Sequence, residues 1–360
     1  MKPILIGTPF TVMENPYGLH NYFGWPTVAR TKDGKIVAAA SGFRLNHVCP
    51  FGKAVIAWGN AEGTKFTPPT PIIDTHLDDR DAGLCPFGES GLILTSFNNT
   101  RAFQRKNGDS PTYANAYLDK VDDETEAAQL GATFRVSLDN GFTWGPLYRS
   151  PITSPHGPVE LSDGTILWVG RRFSSADAQL EDDRVEAHRL DPVTGEMTFL
   201  GAIENIDLGG AVPLSCEPHA IELEEGHILC HIRVQGGGRP LFTTYQSESF
   251  DGGATWSAPR PILEDLGGAP AHLFKMEDGR LFSVYGYREV PYGIKVMFSD
   301  DGGKNWDTGH TLYVNPYTAD LGYPASIALD DGSFLTVFYA RPDGEEKPAK
   351  ILGQIWKIEE

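Results

Sequence analysis

The sequence predicts an all-β chain, a six-bladed β-propeller occupying residues 1–360 as one domain, on three observations. The first is a box spelled three times: Ser137-Leu-Asp139-Asn-Gly141-Phe-Thr143-Trp144, Ser249-Phe-Asp251-Gly-Gly253-Ala-Thr255-Trp256 and Ser299-Asp-Asp301-Gly-Gly303-Lys-Asn-Trp306. Three copies of Ser-x-Asp-x-Gly-x-x-Trp mean an internal repeat, and repeats decide architecture first. The second is a hairpin pattern recurring six times, in which an acidic-Gly turn separates two apolar strands. The third is composition: 40 Gly, 26 Pro and 11% aromatics among 360 residues suit many short strands joined by turns.

Each element follows from local chemistry. In the box, Asp and Ser side chains hold backbone groups of a tight turn, Gly supplies a positive φ, and Trp plugs the turn from below. The hairpins span residues 25–44, 81–97, 157–172, 217–233, 269–288 and 322–341. A further strand pair follows each, with the boxes connecting strands three and four. Residues 59–66 read as a degenerate fourth box, and 191–199 as a different turn in the third repeat. Residues 98–130, polar and acid-rich, read as a loop insertion inside a repeat. The last repeat offers three strands, and the N-terminal segment, residues 3–12, is expected to supply its fourth and close the ring.

The formal net charge of −18 argues against nucleic acid or an anionic membrane surface as partner. No apolar run approaches a membrane span. The N-terminal residues lack the apolar core and cleavage site of a signal peptide, so a cytoplasmic location is expected, with a secreted mature form left open. Cys49, Cys85, Cys216 and Cys230 have neither CxxC nor metal-finger spacing and are read as reduced, buried thiols. No cofactor and no metal are expected, and the sequence leaves the oligomeric state open.

Strand direction sorts the polar residues. The innermost strand of a blade runs away from the entry face and the second returns, so strand-one starts and strand-two ends share one mouth. The boxes fall on the opposite face. The starts bring Arg80, Asp81, His156, Glu217, His219, His272 and Tyr323 to the mouth. The ends bring Arg44, with Asn46 and His47 following, then Arg171, Arg172, Arg233, Arg288, Tyr339 and Arg341. Rim positions are polar in any propeller because solvent reaches them. A ring of Arg, His, Asp and Glu in a chain only 22% charged is nevertheless what a carbohydrate or anionic-substrate site requires. The three histidines are read as sugar-hydroxyl binders, with a metal cluster as the alternative, although their spacing carries no metal-ligand signature.

With its boxes and hairpins, the chain resembles the sialidase superfamily of six-bladed propellers with Asp-box repeats. That resemblance implies a Tyr nucleophile paired with a Glu, an Asp acid/base, and three arginines on the substrate carboxylate. Residues 217–233 resemble the segment carrying the Glu, here Glu217, and the second arginine, here Arg233. Residues 322–339 resemble the segment carrying the nucleophile, here Tyr323, and Arg288 matches the third arginine. The chemistry is coherent, because a phenol of pKa about 10 needs a carboxylate to take its proton before attack on an anomeric carbon. Sialidases are known exceptions to the two-carboxylate scheme of glycosidases. The chain departs from the pattern twice. In Phe23-Gly24-Trp25-Pro26, Gly24 stands where the family's Phe-Arg-Ile-Pro segment has its first arginine. The loop after Arg44 has no acid, and His47 is its titratable group. Asp79 and Asp81 are competing acids from the next blade.

The leading expectation is a sialidase-like glycoside hydrolase removing a terminal, acidic sugar from a glycan. Tyr323 and Glu217 would attack, His47 or Asp81 would protonate the leaving oxygen, and Arg44, Arg80, Arg233 and Arg288 would position the substrate. Two alternatives use the same residues: a polysaccharide lyase moving protons through Tyr and His beside a uronate, and a non-catalytic glycan-binding propeller.

Overall fold

The computed structural model describes residues 1–108, 112–173 and 184–359. Six antiparallel sheets radiate from one axis, each beginning at the axis. Blade 1 comprises Tyr22–Arg30, Ile36–Arg44, Lys53–Gly59 and Thr70–Ile73. Blade 2 comprises Arg80–Phe87, Gly91–Phe97, Ala132–Ser137 and Tyr148–Ser150. Blade 3 has a divided inner strand, Ile152–Thr153 and Val159–Glu160, followed by Ile166–Arg172, Val185–Leu190 and Met197–Ile203. Blade 4 runs Leu214–Glu224, His227–Gln235, Phe242–Ser249 and Arg260–Pro261. Blade 5 runs Ala271–Lys275, Leu281–Tyr287, Gly293–Ser299 and Asp307–Val314. Blade 6 takes Gly322–Ala328, Phe334–Ala340 and Lys350–Glu359 from the C-terminus and Lys2–Met13 from the N-terminus as its outermost strand.

The core lies in the seams between blades rather than in one central mass. Ile93, Phe134 and Trp168 fill the seam of blades 2 and 3, and Phe282, Phe298, Phe338 and Trp356 that of blades 5 and 6. Each box helps to seal a seam. Its Ser hydroxyl donates to the Asp carboxylate and accepts the Gly N–H, at 2.9 Å in the first box. The same Asp oxygen caps the N–H four residues on, at 2.8 Å from Thr143 and Thr255 and 2.9 Å from Asn305. The glycines at φ 85°, 97° and 85° press toward the preceding blade, where Gly253 meets Leu167 and Ala187. In the degenerate copy Asn60 replaces the Asp, accepting from Thr64 and Lys65 N–H at 2.8 and 2.9 Å. All four cysteines are free and buried.

The insertion is not the loop its polarity suggested. Three short helices, α1 (Arg101–Asn107), α2 (Thr112–Leu118) and α3 (Asp123–Gln129), stand between strands two and three of blade 2. Thr100 and Asp122 cap α1 and α3 by accepting the N–H three residues on, which stabilises short polar helices that have little apolar face. Tyr113 and Tyr117 of α2 lie against Phe51, docking the insertion on the blade 1 loop.

One backbone device recurs on the inner strands. Pairing with strand two breaks at the same place in four blades, between Gly24 and Thr27, Arg80 and Gly83, Cys216 and His219, and Gly322 and Ala325. At each break one residue adopts left-handed backbone: Trp25 (φ 53°), Asp81 (48°), Glu217 (50°) and Tyr323 (52°). Each costs about 1–2 kcal/mol for an L-residue. Gly157, at φ 77°, holds the equivalent position in blade 3. Such bulges re-aim side chains, and here four of them turn toward the axis.

Candidate active site

The bulges bring residues from separate blades into one constellation. Tyr323 Oη donates to Glu217 Oε1 at 2.6 Å. Arg233 Nη1 donates to Glu217 Oε2 at 2.6 Å and to Tyr323 Oη at 3.1 Å. Arg233 is itself steadied by Gln235, whose Oε1 accepts its Nε at 3.0 Å. Burial, and then the Glu217 carboxylate, hold the Tyr323 phenol well above its ordinary pKa. The phenol therefore keeps its proton, and the Glu217 carboxylate is the acceptor placed to receive it.

Asp81 lies on the same floor. Burial and the nearby Glu217 charge push its carboxyl up to about 7, against the pull of Arg80, Arg233 and Arg44. Asp79, the other acid of that segment, is also pushed up to about 7, chiefly by burial. Its carboxylate is occupied by Thr75 N–H at 2.6 Å and Thr75 hydroxyl at 3.0 Å, so it ties the blade 1–2 connection and does not reach the mouth.

The arginines divide into two pairs. Arg44 was expected at the substrate but is fully buried, and this expectation is corrected. Its guanidinium pairs with Asp78 at 2.6 Å and donates to Ser41 Oγ at 2.7 Å and to the His47 carbonyl at 2.9 Å. Arg80 donates to Asp78 at 3.1 Å and the His47 carbonyl at 2.6 Å. Both guanidiniums lie over the Trp25 indole, 4.8 and 4.2 Å from its centroid. Asp78 thus gathers two cations that clamp Trp25 and the His47 loop. Burial opposes ionisation of Asp78, but the two arginines outweigh it and lower its pKa.

The other pair, Arg233 and Arg288, flanks Phe242, with guanidinium carbons 4.8 and 5.2 Å from its centroid. Arg288 donates to the Leu321 carbonyl at 3.2 Å and to Tyr339 Oη at 3.4 Å. It forms no ion pair among the described residues. That leaves a half-buried cation at the mouth with no carboxylate of its own.

His156, His219 and His272 come together, but further down the axial channel. His219 and His272 stack at 4.1 Å between centroids, and His156 meets them edge-on at 5.5 and 5.0 Å. Burial lowers all three pKa values. The His219 Nδ1 accepts the Leu273 N–H at 3.0 Å, and Thr27 meets His156 Nδ1 at 3.2 Å. The group packs the channel beneath the floor acids. Among the described residues, no His, Cys, Asp and Glu group is arranged to hold a metal ion.

His47 stands higher, on the rim loop, with 52% of its side chain exposed. Its ring meets the edge of Trp25 at 4.9 Å, while Tyr323 meets the same indole at 6.4 Å. Sequence reasoning missed its neighbours Tyr22 and Asp320, as well as Trp25, Asp78 and Phe242. For Trp25 a signal existed: Trp25-Pro26, Gly157-Pro158, Glu217-Pro218 and Tyr323-Pro324 repeat an X-Pro step at the strand start of four repeats. Asp320 carried none, because it lies in a connection with no repeat register.

Residues 117–336 match the model of a family described as BNR repeat-like domain. No curated protein sequence matches the chain significantly. Among solved structures, a protein of unknown function from Dyadobacter fermentans is 23% identical, with 98% of each chain covered and a TM-score of 0.73. The NanB sialidase of Streptococcus pneumoniae is 12% identical over 96% of this chain and 70% of its own, at a TM-score of 0.61. A Penicillium chrysogenum alpha-L-arabinanase, complexed with arabinobiose, is 12% identical over 98% of each chain, also at 0.61. At these identities the likeness shows a shared fold.

Proposed function

We propose, on the premise that this chain belongs to the BNR repeat-like family, that it is a glycoside hydrolase releasing a terminal, acidic sugar through a tyrosyl intermediate. The observation that carries the reading is the 2.6 Å hydrogen bond from Tyr323 to Glu217, with Arg233 spanning both partners. A buried phenol donating to a carboxylate is poised to attack as its proton moves to Glu217. The floor would cradle the anomeric carbon and the leaving group would depart toward the mouth.

The half-buried Arg288, lacking an acidic partner among the described residues, supports an anionic substrate. The place of a third arginine is taken by Gly24, whose missing Cβ would meet Tyr22 at 3.3 Å and Tyr339 at 3.8 Å. Two arginines over Phe242 suit a single carboxylate, and the absence of the third argues against ordinary N-acetylneuraminic acid as substrate.

The test is a screen of aryl glycosides of acidic sugars and of uronate-containing glycans, with Tyr323→Phe as control. A 2-fluoro glycoside of any hit should leave a sugar adduct on the peptide containing Tyr323. An ultraviolet-absorbing unsaturated uronate product would instead identify a lyase. Binding without turnover would identify a glycan-binding propeller.

A further inference from the structure

We propose that His47 is the group that transfers a proton to and from the leaving-group side, and that Asp320 is the positioning residue that fixes its tautomer. The inference rests on the glycosidase reading above and deepens it.

The hydrogen bonds around Asp320 determine the arrangement. Asp320 is an acceptor-only carboxylate; burial would raise its pKa, but His47 and Arg341 bring it below the usual carboxylate range. Tyr22 Oη donates to it at 3.0 and 3.1 Å to the two oxygens, and Arg341 Nε at 2.7 Å. The Tyr22 proton is therefore spent, and its oxygen, 3.3 Å from His47 Nδ1, is left as an acceptor. Asp320 Oδ1 lies 3.6 Å from the same nitrogen, too long for a hydrogen bond but close enough to favour its proton. Nδ1 must carry hydrogen, and Nε2 is the nitrogen left for chemistry. Among the described residues Nε2 has no protein partner.

Position separates His47 from Asp81. Asp81 shares the floor with Glu217 and Tyr323, on the side from which the nucleophile attacks. A proton for the departing oxygen has to arrive from the rim, where His47 stands half-exposed. Asp81, buried and protonated below about 7, is placed to bond a sugar hydroxyl instead.

The step balances. The His47 imidazolium gives its Nε2 proton to the glycosidic oxygen as the C1–O bond breaks. The Tyr323 oxygen bonds to C1 while its own proton passes to Glu217. In the second half, water attacks C1, His47 Nε2 takes a water proton, and Tyr323 departs with the proton returned by Glu217.

Every charged or titratable group facing His47 enters its pH dependence. Desolvation of the ring face packed against Trp25 and Tyr22 comes first, then Arg80 and Arg44, in lowering its pKa, while Asp320 opposes them and Arg341 neutralises part of Asp320. An acid catalyst works only when protonated, so kcat/KM should fall as pH rises through a value below 6.5. Asp320→Asn removes the group that raises this value and should move that limb to lower pH.

Two measurements test the proposal. Histidine ring nitrogen NMR of the full chain should show neutral His47 as the Nδ1–H tautomer, and Asp320→Asn should move it toward Nε2–H. An Nε2–H tautomer in the wild type overturns the dyad whether or not any substrate is known. On an active glycoside, His47→Ala should cost about a hundredfold with a sugar or alkyl leaving group. With a dinitrophenyl leaving group, which needs no proton, the loss should be under about tenfold. Equal losses on both would remove His47 as the acid while leaving Tyr323 as nucleophile. Wild-type turnover in Tyr323→Phe would instead sink the nucleophile reading and leave the NMR result standing.

Discussion

Tyr323 and Glu217 occupy the same bulge position in blades 6 and 4, each with left-handed backbone, and the two bulges together set the 2.6 Å hydrogen bond between their side chains. Neither residue gains stability from its backbone, since an ordinary extended conformation would relieve about 1–2 kcal/mol of strain at each. The same bulge recurs at Trp25 and Asp81, and strain kept at facing positions around one mouth supports the proposal that Tyr323 and Glu217 act there.

Tyr323→Phe is therefore expected to cut turnover by about a thousandfold with little change in melting temperature, since the ring packing survives. Glu217→Gln should also abolish most turnover. It should in addition lower stability by about 1–3 kcal/mol, because Arg233 loses its buried counter-charge. Steady-state kinetics and thermal melts of both variants check this pair.

Gly24→Arg should not create a sialidase. The new side chain enters space held by the Tyr22 and Tyr339 rings, so the variant should be less stable by about 1–3 kcal/mol. No hydrolysis of N-acetylneuraminic acid glycosides should appear, and a gain of that activity would contradict the steric account.

Asp81 should leave a pH signature in stability. Its folded pKa, pushed up to about 7, exceeds the ordinary carboxylate value of about 3.9. A raised folded pKa means that its contribution is fully present below about 4 and is lost as pH rises toward 7. Asp81→Asn should flatten the fall in melting temperature across that window, by the equivalent of a few kcal/mol. An unchanged slope would place the titration elsewhere.

Trp256→Ala tests the opposite face. The indole Nε1 donates to the Gly253 carbonyl at 3.0 Å and the ring packs on the blade 3–4 core. Because the ring is half-buried, the loss should be about 2 kcal/mol, below the range of a fully buried Trp. kcat and KM of the folded variant should match wild type.

Much of the architecture was legible because turn chemistry and strand alternation are local. The Asp139, Asp251 and Asp301 boxes, and the six hairpins, needed only neighbouring residues to be recognised. The α1–α3 insertion was misread because α1 and α3 are short and polar, and the one apolar stripe, Ala114 and Leu118 of α2, spans barely a turn. Glu217, Arg233 and Tyr323 were reached through segment resemblance and strand direction. Arg44 was misplaced because a rim position says nothing of Asp78, which draws its guanidinium inward. His47 was singled out by its place in the rim loop, but nothing local pointed to Asp320 and Tyr22, which lie against its ring nitrogen.

The sequence by itself determined the repeat, the blade order and the face on which polar residues collect, since each depends on contacts between residues close along the chain. Only the tertiary structure decided which of those residues meet. Tyr323 and Glu217 are 106 positions apart, and Tyr22 and Asp320 are 298 apart. No local pattern encodes distances of that kind; they are set when six blades close into a ring and four bulged strands turn their side chains inward.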